Sequence, residues 1–316
     1  MSPTPHLFCL DTVMIDVVLR VDEVPKRGGD VLASEHLTTT GGGYNAMSAW
    51  SRQGVPAVYA GRLGRGPFSS IARDALASDE ITVPIEADTS RDVGFCVAMI
   101  DATGERTFIT SSGSEESLRE ADLASLDVQG GDYVLVSGYN VLYPGQAEIV
   151  LYWLATLSDD VVVAFDPSNR VADLPVANLD EILGRADWVL CNEIEAATLT
   201  GATTIEESLE VLASRSGRRG VVIRTGADGC CLASRGQTQT FVGPFETTVL
   251  DTNGAGDTHS GVFLAELALG TDEFEAARRA NAGAAVAIAT LGPASCPPRD
   301  VITALLDEVK SHDALT

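Results

Sequence analysis

From Tyr133 onward the chain repeats one pattern. Short, nearly continuous apolar runs, Tyr133–Ser137, Val161–Asp166, Trp188–Cys191 and Val221–Arg224, are separated by longer stretches whose apolar residues recur at helical spacing. Such runs are strands covered on both faces, and strands alternating with helices build a parallel sheet from βαβ units. Leu7–Leu10, ending near Asp11, and Val58–Leu63 are further short strands. Gly229–Ser234 and Thr240–Val242 predict a hairpin. Helices are predicted over Asn45–Gln53, with Gly54 closing it, from Pro67 to about Ala77, and over Thr258–Leu269, Glu273–Thr290 and Arg299–Lys310.

Two regions break this rhythm. Val13–Val21 is extended and apolar around Asp16, and Pro25 to Gly29 reads as a turn. Val93–Asp101 and Arg106–Ser111 flank Ala102-Thr103-Gly104-Glu105, a hairpin with a glycine turn. The expected architecture is one doubly wound α/β domain over residues 1–316, a mainly parallel sheet flanked by helices. The β-like segments near 13–40 and 91–111 stand outside its regular part.

Charge and composition narrow the function. The 45 acidic residues outweigh 21 basic ones, for a net charge of −24. That argues against nucleic acid, whose binding rests on cationic contacts to phosphate, and against an anionic membrane surface. No apolar run reaches membrane-spanning length and no basic, apolar leader is present, so the expected location is the cytoplasm. Lys26 and Lys310 are the only lysines, and neither lies in a Gly-x-x-x-x-Gly-Lys loop. P-loop chemistry is therefore excluded, and a kinase built on this chain must use amide dipoles, arginine and metal. The six cysteines form no Cys-x-x-Cys pair or His/Cys cluster, so zinc and redox roles are not expected. Cys230 and Cys231, adjacent in a strand, should point to opposite faces.

The most informative chemistry lies in Asp251-Thr252-Asn253-Gly254-Ala255-Gly256-Asp257, directly before a helix. Amides of Gly254, Ala255 and Gly256 at a helix start can converge on an anion, which the helix dipole also favours. Asp257 places a carboxylate beside that point, suited to take the proton of an attacking hydroxyl. A second glycine cluster, Gly41-Gly42-Gly43-Tyr44-Asn45, also opens a helix. Asp16 interrupts an apolar strand, where a carboxylate is costly unless hydrogen-bonded or exposed. Asn192 and Glu195 follow one strand, and Arg224, Thr225 and Gly226 end another, at the edge where α/β sheets bind ligands. Asp11 is a weaker candidate for the role of Asp16. His259, two positions after Asp257, faces elsewhere.

With these motifs in this order, the chain resembles the ribokinase-like, or PfkB, carbohydrate kinases. Asp251–Asp257 with Thr258 looks like that family's C-terminal signature; Gly41–Asn45 with Ala46, Ala49 and Gly54 looks like its N-terminal one; and Asn192-Glu193-Ile194-Glu195 looks like its Asn-x-x-Glu motif. Thr40 stands where many members carry a further glycine. The resemblance implies an ATP-dependent kinase that phosphorylates a hydroxyl, a primary one, of a small neutral sugar. Asp257 would be the general base and Gly254, Ala255 and Gly256 the anion hole. Asp16, Gly42, Gly43, Asn45 and Arg106 would contact sugar under a small β-sheet lid. Asn192, Arg224, Thr225, Gly226 and Asn281 would contact nucleotide. Glu195 and Asn192 would hold Mg²⁺, partly through water, and Asp251 with nearby carbonyls suits a monovalent cation such as potassium. The resemblance also implies a homodimer paired through the lid. A nucleoside kinase, a sugar-phosphate kinase and a non-enzymatic sugar-binding module are the competing readings. A dinucleotide-dependent oxidoreductase is disfavoured, because Asp11-Thr12 follows the first strand in place of a Gly-x-Gly-x-x-Gly loop.

Overall fold

The computed structural model describes residues 4–215 and 218–313, which form two sheets. In the larger one, β1 (Leu7–Cys9), β4 (Ala57–Tyr59), β7 (Tyr133–Ser137), β8 (Val162–Asp166), β9 (Trp188–Asn192) and β10 (Gly220–Arg224) run parallel. β11 (Cys230–Ser234) and β12 (Thr240–Val242) add an antiparallel edge. The strand order is β12-β11-β10-β9-β8-β7-β1-β4. The chain therefore winds outward from β1 in both directions, with the switch between β1 and β7.

Each strand feeds two cores, because successive side chains leave a strand on opposite faces. Leu7, Cys9, Tyr133, Leu135, Trp188, Leu190 and Val222 join a core with α1 (Gly43–Ser51), α2 (Pro67–Ser78), α9 (Ala255–Ala268), α10 (Glu273–Ile288) and α11 (Arg299–Asp313). Phe8, Leu10, Val134, Val136, Val189, Cys191 and Ile223 face the other core. It is closed by α3 (Glu120–Ala124), α4 (Gly138–Leu142), α5 (Pro144–Thr156), α6 (Val176–Arg185), α7 (Glu193–Thr200) and α8 (Ile205–Arg215). Cys230 packs in the first core and Cys231 against the second, as adjacent strand residues should. No helix among the described residues is long and apolar enough to cross a membrane.

The segments that broke the βαβ rhythm make the second sheet. β2 (Val13–Arg20), β3 (Glu35–Gly42), β5 (Phe95–Ile100) and β6 (Arg106–Ser111) are ordered β3-β2-β5-β6. Its central pair, β2 and β5, is parallel, and both outer pairs are antiparallel. Two expectations needed adjustment. The strand expected over Val58–Leu63 stops at Tyr59, because its partner β1 ends at Cys9. The glycine cluster is not a free loop before a helix. Gly41 and Gly42 finish β3, paired with Met14 and Val13, and Gly43 opens α1 directly.

Candidate active site

Five strand ends set a row of polar side chains along the carboxyl edge of the large sheet. Arg224 ends β10 opposite Asn192 of β9, and Asp166 ends β8 opposite Ser137 of β7. Asp11 follows β1, next to Ser137. The crevice beside such ends, at the point where winding reverses, is where doubly wound sheets bind ligands. Here the reversal falls between β1 and β7, and the Ser137 hydroxyl donates to Asp11 Oδ1 at 2.5 Å.

Helix α9 enters this edge from above. Its start is set by Gly254, whose φ of 75° is left-handed and whose missing side chain lets the backbone lie against the Pro293 carbonyl. The Ala255 amide donates to Thr252 O at 3.3 Å. Of the expected anion hole, the amides of Gly254 and Gly256 have no hydrogen-bond acceptor among the described residues, and neither has that of Asp257 in the same first turn. Asp257 Oδ2 accepts from Asn45 Nδ2 at 2.9 Å. Burial pushes the Asp257 carboxyl above the usual range, Asp166 adds to this, and Asn45 and Arg224 pull the other way. Asn45 is buried, and its Oδ1 has no hydrogen-bond partner among the described residues.

Arg224 supplies the cation. Its guanidinium donates to Ser260 Oγ at 2.8 Å and to Asp166 Oδ2 at 3.2 Å, and lies 3.7 Å from Glu195 Oε2. Burial disfavours its charge, but Asp166 and Glu195 outweigh that and keep it protonated. A side chain on Gly256 would touch this guanidinium, so Arg224 packs against the first turn of α9.

From the small sheet, Asp16 points back toward Asp257. Burial raises its carboxyl to about 6, with Asp257 contributing. The Asp16 carboxylate lies over Gly41 on the neighbouring strand, where a Cβ would collide with it and displace it. Among the described residues nothing donates a hydrogen bond to that carboxylate, so its acceptors are open. Gly42 and Gly43 pack their backbone against the Thr12 and Asp11 carbonyls, closing the floor below Asp16.

Residues 4–300 match the family described as pfkB family carbohydrate kinase. The chain belongs to that family. The uncharacterized sugar kinase YegV of Escherichia coli is 30% identical, over 91% of this chain and 89% of its own length. The ATP-dependent ribose-1-phosphate kinase of Halopiger xanaduensis is 26% identical, over 93% and 95%. Arabidopsis thaliana ribokinase, complexed with ribose and ATP, has the same fold: TM-score 0.79 at 23% identity, over 97% of this chain and 99% of that one. This pfkB-family protein is thus a carbohydrate kinase, an enzyme that phosphorylates a sugar with ATP.

At the end of β9, Asn192 and Glu195 form a reciprocal cap on α7: Glu195 N donates to Asn192 Oδ1 at 2.9 Å and Asn192 N to Glu195 Oε2 at 2.8 Å. Burial, then Asp166, raises the Glu195 carboxyl. Its Oε1 stays outside the cap. Thr225 is buried with a hydroxyl that has no hydrogen-bond partner among the described residues, and Gly226 is exposed beside it.

Three expected residues stand in different company. Arg106 reaches from β6 to Asp251, Nη2 to Oδ1 at 3.2 Å. Asp251 also accepts from the amides of Asn253 and Gly292. The charge expected to attract a monovalent cation is thus already met by a guanidinium. Asn281 donates to Val242 O and Gly243 O, each at 3.0 Å, and bonds His259 Nε2 through Oδ1 at 3.1 Å. Its amide is fully committed to tying α10 to β12 and α9. His259 is buried, and burial with the nearby Arg224 lowers its pKa to about 3, so it stays neutral.

Asp166, Ser137 and Ser260 were not singled out from sequence. Asp166 carried a usable signal: like Asn192 and Arg224 it is a polar residue ending a buried apolar run.

Proposed function

We propose that this kinase transfers the γ-phosphoryl group of ATP to a hydroxyl, a primary one, of a small neutral sugar, with Asp257 as the base. The observation that carries the reading is the Asn45–Asp257 bond. It holds one carboxylate oxygen in place beside the first-turn amides of α9 and leaves the other for an incoming hydroxyl. The sugar lies between Asp16, Asn45 and the floor of Gly42 and Gly43, under the small sheet acting as a lid. The phosphates lie toward Gly254, Gly256 and Arg224, and the nucleotide extends past Asn192, Thr225 and Gly226.

Phosphoryl transfer needs positioning and charge neutralisation more than covalent help. Fixed amides and a buried guanidinium provide both without reorganisation. The oxygen donors of Glu195 and Asn192 suit Mg²⁺, which takes few protein ligands and retains waters. When bound it would shield the phosphate charge that this lysine-poor site leaves unmet. Phe108 and Ile109 on β6 and Leu37 on β3 are exposed, and pairing of two copies through these edges would cover them.

The test is a panel of pentoses, hexoses, nucleosides and their monophosphates, with ATP consumption as readout. Turnover of a free sugar supports the proposal. Turnover confined to nucleosides or to sugar phosphates would select the corresponding relative. Sugar binding by calorimetry without ATP consumption would make the chain a binding module.

A further inference from the structure

We infer that Asp11 is a second sugar-binding carboxylate of this kinase, a specificity-determining residue that accepts a substrate hydroxyl through its Oδ2. The inference rests on the site being that of a sugar kinase and adds a residue to it.

Acids that this chain buries for structural reasons are satisfied at both oxygens. Asp132 accepts from His6 N on one oxygen and from Gln129 N on the other. Glu115 accepts from Gly94 N and Gly113 N in the same divided way. Glu266 has both oxygens bonded to Arg279, Arg299 and Thr271. A buried carboxylate that only supports the fold must be satisfied at both oxygens, since an open one forfeits hydration for nothing.

Asp11 departs from this. Ser137 Oγ and Thr12 N both donate to Oδ1, at 2.5 and 2.8 Å. No hydrogen bond among the described residues reaches Oδ2. The residue is only partly shielded from solvent, so this oxygen is open rather than sealed. Its place is the switch point between β1 and β7, with its own carbonyl against Gly43 of the sugar floor. Asp257 is close enough to perturb it. Asp16 and Asp257 also have open oxygens, and both belong to the proposed acceptor side, whereas Glu195, whose Oε1 is likewise outside its cap, is the proposed Mg²⁺ ligand. Three incompletely satisfied carboxylates converging on one crevice fit a ligand rich in hydroxyl donors.

Ser137 then has a defined part. By fixing Oδ1 it orients the carboxylate, and Asn140 holds Ser137 in turn, accepting from its amide at 2.9 Å while donating to Leu10 O at 2.7 Å. Ser137 is a positioning residue.

The experiment takes the best sugar or nucleoside from the panel above together with its singly deoxygenated analogues, and measures kcat/KM for each with wild type, Asp11→Asn, Asp11→Ala and Ser137→Ala. For one deoxy position the wild type should discriminate by roughly 10- to 100-fold, the loss of a charged hydrogen bond. That ratio should fall close to one in Asp11→Ala and shrink in Asp11→Asn, while the ratios at other positions and KM for ATP stay within about twofold. Asp11→Asn keeps an acceptor for both Ser137 and Thr12, so it guards against a variant that fails to fold. If every deoxy ratio is unchanged in Asp11→Asn, or if sugar and ATP weaken together, Asp11 is a structural residue and the inference falls. If no sugar or nucleoside is turned over at all, the functional reading itself falls and takes this one with it.

Discussion

Asn45 Nδ2 meets Asp257 Oδ2 at 2.9 Å across 212 positions of sequence. The contact joins the start of α1 to the start of α9, and so joins the proposed sugar floor to the proposed anion hole. An amide donor lowers the proton affinity that burial has raised, and it fixes which oxygen faces the substrate. Asp257→Asn should reduce kcat on the order of 10²–10⁴-fold while sugar and ATP binding stay within a few-fold. Asn45→Ala should lower kcat by about 10²-fold at most, the cost of a misplaced base. Steady-state kinetics with a near wild-type kcat for Asp257→Asn would remove the base from its role.

Asp16 should act through the sugar alone. Its carboxylate is raised to about 6 by burial and has open acceptors. Asp16→Ala should weaken sugar binding by about 1.5–3 kcal/mol for each charged hydrogen bond lost. Titration calorimetry separates the outcomes: unchanged sugar affinity with weaker ATP binding would place Asp16 at the wrong end of the crevice.

Arg224 neutralises Asp166 and Glu195, and the proposed function also has it face the phosphates. Arg224→Ala should cut kcat/KM for ATP on the order of 10²-fold or more, with sugar affinity much less affected. Arg224→Lys restores charge but not the fork that reaches Ser260 and Asp166 together, so it should recover only part of the loss. Wild-type kcat/KM for ATP in Arg224→Ala would confine this residue to packing.

Stability should carry the opposite signature to catalysis. Burial, with Asp257, raises Asp11 to about 7 and Asp16 to about 6 in the folded chain. In the unfolded chain an Asp titrates near ~3.9. Between these values the folded state binds more protons than the unfolded one. The contribution is therefore full below about pH 4 and is lost as pH rises through 6 to 7. Denaturant melts should show the free enzyme weakening by a few kcal/mol from pH 5 to pH 8. Asp11→Asn, which buries no charge, should flatten the profile and be the more stable protein at pH 8. Parallel profiles for the two proteins would mean that Asp11 is not desolvated as the structure describes. A stabilised but less selective variant is the expected trade at a functional site.

The fold was legible wherever burial on both faces left a continuous apolar run, because period and length then decide alone. Tyr133–Ser137 and Trp188–Cys191 are of that kind. The pieces of the small sheet were visible as β-like, but β3 is Thr-rich and mostly exposed, with little pattern to mark its ends. Asp257, Asn45 and Asn192 could be chosen because glycines or a capping box announce a tight junction. Asp11 with Ser137, Asp166 with Arg224, and Arg106 with Asp251 could not be paired, because strand order and lid placement decide those meetings. Asn281 shows the converse: a polar residue on a helix, expected at the nucleotide, whose amide is consumed by backbone carbonyls.

The charge of the acceptor is the sharpest prediction. A sugar phosphate would bring a dianion into a crevice holding Asp11, Asp16 and Asp257, and it would need a free cation there. The cations near the lid are engaged or distant. Arg106 is paired with Asp251, Arg91 lies 3.8 Å from Glu116, and Lys26 and Arg27 are exposed on the turn before β3. Neutral hydroxyls, by contrast, gain from each open carboxylate. Matched sugars and their monophosphates, compared at fixed Mg²⁺ and potassium, should therefore show kcat/KM higher for the neutral member by at least about 10²-fold, the cost of one unpaired buried charge. Arg106→Ala should leave that preference in place and change kcat/KM only a few-fold, since a partly exposed ion pair contributes about 1 kcal/mol or less. The relative from Halopiger xanaduensis bears a name that makes ribose 1-phosphate its substrate, so the opposite outcome has a precedent within the family. A preference for the phosphorylated sugar that disappears in Arg106→Ala would show that Arg106 leaves Asp251 to bind substrate, and would make this chain a sugar-phosphate kinase.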